Sequence, residues 1–407
     1  MKILYLSSTL SEYKGIKMHL KCSAYETHRC KSCTLIGDSY LDGVKLKEEK
    51  VISYLSLHRD IFKKTVGISS PTGFRNKLKL SCYQDDSGEI FFGIYDRNLN
   101  FFPLEDCPLH MPRLNDFLPL LKELLTEFKV SAYDVKEKKG ELKRIYLAKD
   151  VDSESYTLRF VLRSTESVPR LKKCLLKLQH LQSLTNPQFK IIASANILPL
   201  HSAQFEGEHE INLCSETELI FHWDNIKFFV GTKNFLQVNP EMAIALYRHI
   251  AHFLKENQID SMVELFSGIG LFSFFSASKL KSGLGIELNS QSVDLALKTK
   301  DLNNLGHINF IQKDLYQLDF FTEFHWLKDC QCLLLNPPRA GAGTKTLQTI
   351  LKIKPKYLIY SSCSIESLAK DCQLLSQSYE IISTQVFDMF AWTEHFETLV
   401  IFKKLER

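Results

Sequence analysis

From Phe228 to the C-terminus, short apolar runs alternate with stretches of helical pattern, and this alternation constrains the fold more than any other feature. "SMVEL" (261–265) precedes a glycine-containing turn, and "SGLGIEL" (282–288) follows a helix-like stretch. "CLLLN" (332–336) and "YLIYSS" (357–362) read as buried strands. Apolar runs this short, with helices between them, predict a doubly wound α/β domain around a mainly parallel sheet.

The preceding stretch, from Ser70 to about Asp224, has a different period. "FRNKLKLSCYQ" and "YTLRFVLRS" alternate apolar and polar residues, as strands with one buried face do. Helical patterns interrupt them at Leu114–Phe128 and Pro169–Gln182, the latter with Leu171, Leu175, Leu176 and Leu178 on a partial stripe. Strands with helices set among them predict an α+β domain on an antiparallel sheet. At 407 residues the chain is too long for one core. The expected organisation is an extension over 1–19 (Met18 an alternative start), a cysteine-bearing segment over 20–69, the α+β domain over 70–225 and the α/β domain over 226–407.

No stretch reaches the roughly 20 apolar residues of a membrane span. The N-terminal apolar run Ile3–Leu6 is too short for a signal peptide, so a cytoplasmic protein is expected. A net charge of +4 permits a nucleic-acid partner without demanding one. Basic residues crowd Lys136, Lys138, Lys139, Lys143, Arg144 and Lys149, then Arg159, Arg163, Arg170, Lys172 and Lys173; alone they read as a solvated face. Arg75, Lys77 and Lys79 alternate on one strand and therefore share a face.

"VELFSGIGLFSF" has the order strand, glycine loop, helix, which brings a ligand close to backbone at a helix N-terminus. Two glycines, Gly268 and Gly270, usually mean only a turn. Glu287, however, ends the next strand nineteen positions after Gly268, where a carboxylate can accept both ribose hydroxyls of an adenosine. Lacking the full pyrophosphate fingerprint, the loop suits S-adenosylmethionine better than NAD. Asp314, after "INFIQK", is placed to meet the adenine amine. "LLLNPPRAG" ends a strand with Asn336, Pro337, Pro338 and Arg339, at the sheet edge where ligands bind. Cys363 stands past an apolar run among serines, and "FDMFAWTEHFE" supplies Glu397 with His395 close by.

Eleven cysteines in a cytosolic chain point to metal or catalysis rather than disulfides. Cys22, Cys30 and Cys33 have the spacing C-x7-C-x2-C, and Cys107 precedes Pro108. Four thiolates hold zinc or a [4Fe–4S] cluster, and spacing alone favours zinc.

Taken in order, "GFRNKLK", "DCPLH", "GELKRIYL", "LRFVLRS", "NFLQVNP", "ELFSGIG", "GIEL", "NPPRAG", "YSSCS", "AKD" and "DMFAWTEHFE" resemble the bacterial RNA 5-methyluridine methyltransferases. The likeness is closest to their iron–sulfur branch acting on uracil-747 of 23S ribosomal RNA, and it runs from Cys22 almost to the C-terminus. It implies a Rossmann-like methyltransferase domain using S-adenosyl-L-methionine, preceded by an α+β RNA-binding domain with a four-cysteine segment. It also implies Cys363 as nucleophile and Glu397 as general base, with Gln237, Phe266, Glu287 and Asn336 at the cofactor. The resemblance turns Cys22, Cys30, Cys33 and Cys107 into ligands of a [4Fe–4S] cluster and makes 23S ribosomal RNA the partner, with a monomer as default. Departures exist: Glu264 and Ser267 stand where relatives often have Asp and Cys, Ser364 where Asn is common, and Trp392 where Pro is usual. Open alternatives are another rRNA or tRNA uridine, cytosine-C5 methylation, and a non-catalytic RNA-binding protein that keeps the fold.

Overall fold

The computed structural model describes residues 18–57, 60–199, 205–316 and 330–406. The expected N-terminal extension lies, up to residue 17, outside the described residues. The rest clusters into two compact units: a first of residues 18–20, 32–71 and 241–406, and a second of 21–31 and 72–240. In chain order, a one-turn helix α1 (Ser23–Glu26), helix α2 (Tyr40–Leu55) and strand β1 (Phe62–Val66) come first.

The second unit is built on a sheet of β2 (Lys77–Gln84), β3 (Ile90–Tyr95), β4 (Phe101–Pro103), β5 (Leu142–Lys149), β6 (Ser155–Leu162), β7 (Lys190–Ile197) and β8 (His209–Asn212), ordered β4-β3-β2-β5-β6-β7-β8. All pairings are antiparallel except β6 with β7. That pair is parallel because helix α4 (Val168–Thr185) forms the crossover between them. Alternation on β2 sends Leu78, Leu80 and Cys82 into one core with Leu114, Leu118, Leu121 and Leu125 of α3 (Pro112–Glu127) and Leu171, Cys174, Leu175 and Leu178 of α4. Leu176, expected on the α4 stripe, is 68% exposed. The buried positions follow a spacing of three and four that runs through Cys174 instead. A hairpin of β9 (Glu218–Trp223) and β10 (Ile226–Gly231) completes this unit.

In the first unit, helix α5 (Pro240–Glu256) leads into β11 (Ser261–Leu265), α6 (Leu271–Ser276), β12 (Ser282–Glu287), α7 (Ser290–Leu302), β13 (Ile308–Gln312), β14 (Cys332–Leu335), α8 (Thr344–Ile353), β15 (Tyr357–Ser362), α9 (Ile365–Leu375), β16 (Tyr379–Phe387) and β17 (Glu397–Lys404). The sheet order is β1-β16-β17-β15-β14-β11-β12-β13. From β11 the chain moves one way through β12 and β13, then the other way through β14 and β15, all parallel. The crevice between the carboxyl ends of β11 and β14 is therefore a topological switch point, where α/β sheets bind ligands. β17 then enters antiparallel beside β15, which brings its first residue to the same end of the sheet.

The expected cysteine segment over 20–69 does not stand as one unit. Ala24 and the cysteines flanking α1 pack on the second unit's core, whereas β1 pairs in parallel with β16 and joins the first unit's sheet. Residues 226–240 likewise stay with the second unit, since β10 pairs with β9.

Within the first unit α2 is held from below by a buried ion pair. Lys47 Nζ lies 2.6 Å from Asp388 Oδ1, the two side chains being 3% and 0% exposed, and it also donates to the Phe390 carbonyl at 3.1 Å. Lys47→Met would leave the carboxylate buried and unpaired, a loss of roughly 3–5 kcal/mol. In urea unfolding, the double variant Lys47→Met/Asp388→Leu is expected to recover part of that loss. A double variant as unstable as the single one would show that the pair's charges do not matter.

Candidate active site

The loop after β11 is shaped by three residues with positive φ: Phe266 (60°), Gly268 (54°) and Gly270 (83°). Gly270 cannot be replaced without collision, because a Cβ there would meet the Phe310 ring at 2.4 Å. At Gly268 a Cβ would enter open space, so the backbone is bare toward whatever the loop holds. The Gly268 amide donates to Glu287 Oε2 and the Asn289 amide to Oε1, both at 2.9 Å, which fixes the carboxylate at the end of β12. Ser267 Oγ is buried and makes no hydrogen bond among the described residues. A bare loop with a fixed carboxylate and an orphaned hydroxyl suits the amino acid and ribose parts of an adenosyl cofactor. Phe266 packs at 5.6 Å, ring centre to ring centre, on Tyr316, two residues after Asp314.

Beneath the loop, Glu264 is wholly buried, accepting from the Ser273 amide (2.9 Å) and hydroxyl while its second oxygen has no partner among the described residues. Burial pushes its pKa up to about 8, against the pull of Ser273. Unfolded glutamate ionises near about 4.3. The folded state therefore holds the extra proton between these values, and stability declines as pH rises through that window. Glu264→Gln is expected to flatten this decline and to exceed the parent's stability above pH 8. Parallel urea-stability profiles for the two proteins would sink this account.

The loop after β14 begins where the Asn336 amide donates to the Leu265 carbonyl at 3.3 Å, joining the two sides of the switch point. Asp371 on α9 pins the far end: it accepts from the Ala342 amide (3.0 Å) and from the Tyr360 hydroxyl. Ser367 Oγ donates to the Arg339 carbonyl at 2.6 Å. Arg339 is thereby presented at the end of β15 beside Cys363.

Cys363 follows the last residue of β15 and is half-buried. Burial raises its pKa above the ordinary thiol value and the charge of Glu397 raises it further, while the charge and hydrogen bond of Arg339 lower it. Glu397, the first residue of β17, is 2% exposed. Burial lifts its pKa to about 7, opposed by the Ser361 hydroxyl, which donates to Oε1 at 2.6 Å. A thiol, a guanidinium and a carboxyl group titrating near neutrality thus share one end of the sheet. The segment before Glu397 is anchored by Trp392, whose indole donates to the Pro71 carbonyl at 2.7 Å and whose own carbonyl accepts from the Leu35 amide.

The first unit thus gathers Phe266, Glu287, Asn336, Cys363 and Glu397 at the carboxyl edge of its sheet. Gln237 is buried in the segment between β10 and α5, within the second unit. Sequence reasoning missed three supports: Ser361, Asp371 and the Lys47–Asp388 pair. "YSSCS" and "AKD" displayed the first two, but a hydroxyl or carboxyl that acts through another group carries no signal in spacing.

Cys22, Cys30 and Cys107 are half-buried and pack on the second unit's core, and the Cys107 thiol is raised by burial and by nearby Cys22. Their donor chemistry suits a metal or cluster. Among the described residues, however, no three or more His, Cys, Asp or Glu side chains are grouped to hold a metal ion. Cys33 is half-buried as well.

The basic candidates divide. Arg159 is spent on Glu206 (2.6 Å) and Glu210 (2.7 Å), and Arg163 on Glu141 (2.8 Å). Lys77 donates to the Asn234 carbonyl, and its pKa is lowered to about 8 by burial and then by Lys79. Lys79 keeps a side chain 56% exposed, and Lys136, Lys138 and Lys139 are exposed. Among the described residues no helix is long and apolar enough to cross a membrane.

Fold and edge chemistry together define a Rossmann-like methyltransferase unit with a thiol beside a buried carboxyl. The sequence pattern of the tRNA (uracil-5-)-methyltransferase family matches residues 216–405. The 23S rRNA (uracil(747)-C(5))-methyltransferase RlmC of Pectobacterium atrosepticum is 32% identical over 95% of this chain and 100% of its own. RlmC of Yersinia enterocolitica matches with the same identity and coverage. The chain belongs to this family of RNA uracil-C5 methyltransferases. Among solved structures, the Pyrococcus abyssi tRNA (uracil-54, C5)-methyltransferase in complex with S-adenosyl-L-homocysteine has the same fold, with a TM-score of 0.72, 21% identity, and coverage of 91% of this chain and 85% of that one.

Proposed function

We propose that the protein methylates C5 of a uridine in 23S ribosomal RNA, of the uracil-747 type, acting as a cytoplasmic monomer. The observation that carries the reading is the half-buried Cys363 thiol under the opposed influence of Arg339 and Glu397, in a chain whose RlmC relatives match along their whole length. When bound, S-adenosyl-L-methionine supplies an electrophilic methyl group; Phe266, Glu287, Asn336 and Gln237 are the residues assigned to hold it.

Uracil C5 is a poor nucleophile unaided. The Cys363 thiolate adds to C6, which turns C5 into an enolate carbon able to accept the methyl group. Arg339 steadies the thiolate and Asn336 the pyrimidine. Glu397 then takes the C5 proton; the electrons of that C–H bond restore the C5–C6 double bond and expel the thiolate. A carboxyl group with a pKa of about 7 is suited to that step at neutral pH.

Cys22, Cys30, Cys33 and Cys107 are assigned to a [4Fe–4S] cluster and the second unit to RNA binding, on the strength of the resemblance and of the thiol donor set. Iron analysis and visible absorption of anaerobically purified protein test the cluster; zinc in its place would overturn it. The function itself is tested with labelled S-adenosylmethionine and unmodified 23S ribosomal RNA. Mass spectrometry is expected to find 5-methyluridine in the uracil-747 loop. Label at another uridine would change the target, and no label with cofactor bound would defeat the reading.

A further inference from the structure

On the face of the second unit's sheet that bears Lys79 and Tyr83, strands β2, β3 and β4 and the loop 134–136 enclose a recess of about 560 Å³. That is within the usual range of small-ligand pockets, about 300–1,000 Å³. Its floor is aromatic: Tyr83 stacks on Phe101 at 5.0 Å and 22°, and Tyr95 meets the same Phe101 edge-on at 5.2 Å. The register explains the gathering, for Tyr83 faces Phe91 and Tyr95 faces Phe101 across neighbouring strands. Between them Gly93 leaves room for β4, since a Cβ there would collide with the Phe102 carbonyl and lie 2.8 Å from the Phe101 ring.

Folding does not account for this arrangement. Tyr83, Leu99 and Val135, all lining the recess, are 37%, 44% and 38% exposed, although the unit buries ample apolar surface on the sheet's other face. Clustered apolar exposure of this kind marks a binding surface. The rim mixes charges: Asp134 and Lys136 both form part of the wall, and exposed Glu137, Lys138 and Lys139 follow on the same loop. Aromatic faces on an antiparallel sheet, with the Lys136 ammonium in the wall, match a flat π-system carried on a phosphate backbone.

We propose that this recess is a stacking subsite for an unpaired nucleobase of the bound RNA, other than the uridine that Cys363 attacks. The inference rests on reading the protein as an RNA methyltransferase. Tyr83 and Phe101 supply the stacking faces, Asn100 and Asp134 stand at the wall for the base edge, and Lys136 takes an adjoining phosphate.

The test uses the full-length protein and a short fluorescein-labelled single-stranded RNA. Tyr83→Thr, chosen to keep the strand, is expected to weaken binding about 10-fold and to raise KM for the methylated RNA equally, with kcat unchanged. Tyr83→Trp should restore both. Lys136→Gln should instead lower the salt dependence of binding by about one phosphate contact, a slope that Tyr83→Thr leaves alone. Wild-type affinity and KM in Tyr83→Thr, with methylation intact, would overturn this subsite and spare the function. Unchanged RNA affinity with lost self-association in sedimentation would assign the recess to a second copy. A wild-type protein that neither binds nor methylates RNA defeats both proposals.

Discussion

Cys363→Ala is expected to lower methyl transfer by on the order of 10⁴-fold or more while leaving cofactor and RNA binding intact. The argument is one of substitution: no other described thiol between β11 and β17 can take over. Cys330 lies just before β14 and Cys332 begins it, both buried, with burial pushing Cys330 up to about 11 and Cys332 well above the ordinary value. Cys372 sits within α9, pushed up to about 12 by burial and by Asp371. Cys363 alone among them combines partial exposure, a place at the carboxyl edge and a guanidinium that favours its thiolate. Filter binding and single-turnover labelling measure the two properties separately. Residual turnover near that of the parent would remove Cys363 from the chemistry; loss of RNA binding as well would mean that the variant had failed for another reason.

The α/β half of this architecture was legible because its signals are local. Parallel strands buried on both faces write themselves as apolar runs, and the strands at 261–265, 282–287, 332–335 and 357–362 lie where such runs stand. The residues assigned to the chemistry stand at strand ends for a related reason: Glu287 ends β12, Asn336 follows β14 and Cys363 follows β15. What could not be read depends on contacts between distant segments. Nothing in residues 32–71 announces that β1 will pair with β16, more than 300 positions away, so the cysteine segment looked continuous where it is divided. Nor does a lysine in an amphipathic helix reveal that it will be buried against Asp388. The arginines of β6 and the segment after it read from sequence as part of a solvated face, and only the fold shows that Glu206, Glu210 and Glu141 already occupy Arg159 and Arg163.

Glu397→Gln is expected to slow turnover by about 10²- to 10⁴-fold and to do so at a different step, so that the protein stays covalently joined to RNA. Thiolate addition and methyl transfer do not need the carboxylate, whereas release of the thiolate waits on removal of the C5 proton. A denaturing gel should therefore show a methylated protein–RNA adduct that the parent does not accumulate and that Cys363→Ala cannot form. Two pH effects follow from the electrostatics. In the parent, release should quicken as pH rises through about 7, because a base works only when deprotonated and burial holds Glu397 protonated to about that value. In the variant that inflection should vanish. The Cys363 thiol should at the same time titrate lower, since the carboxylate charge that raises its pKa is gone while Arg339 remains. Its alkylation by iodoacetamide, followed against pH, should thus shift toward acid in Glu397→Gln. A shift toward alkali would mean that Glu397 stabilises the thiolate rather than opposing it, and an absent adduct would place proton removal on another group.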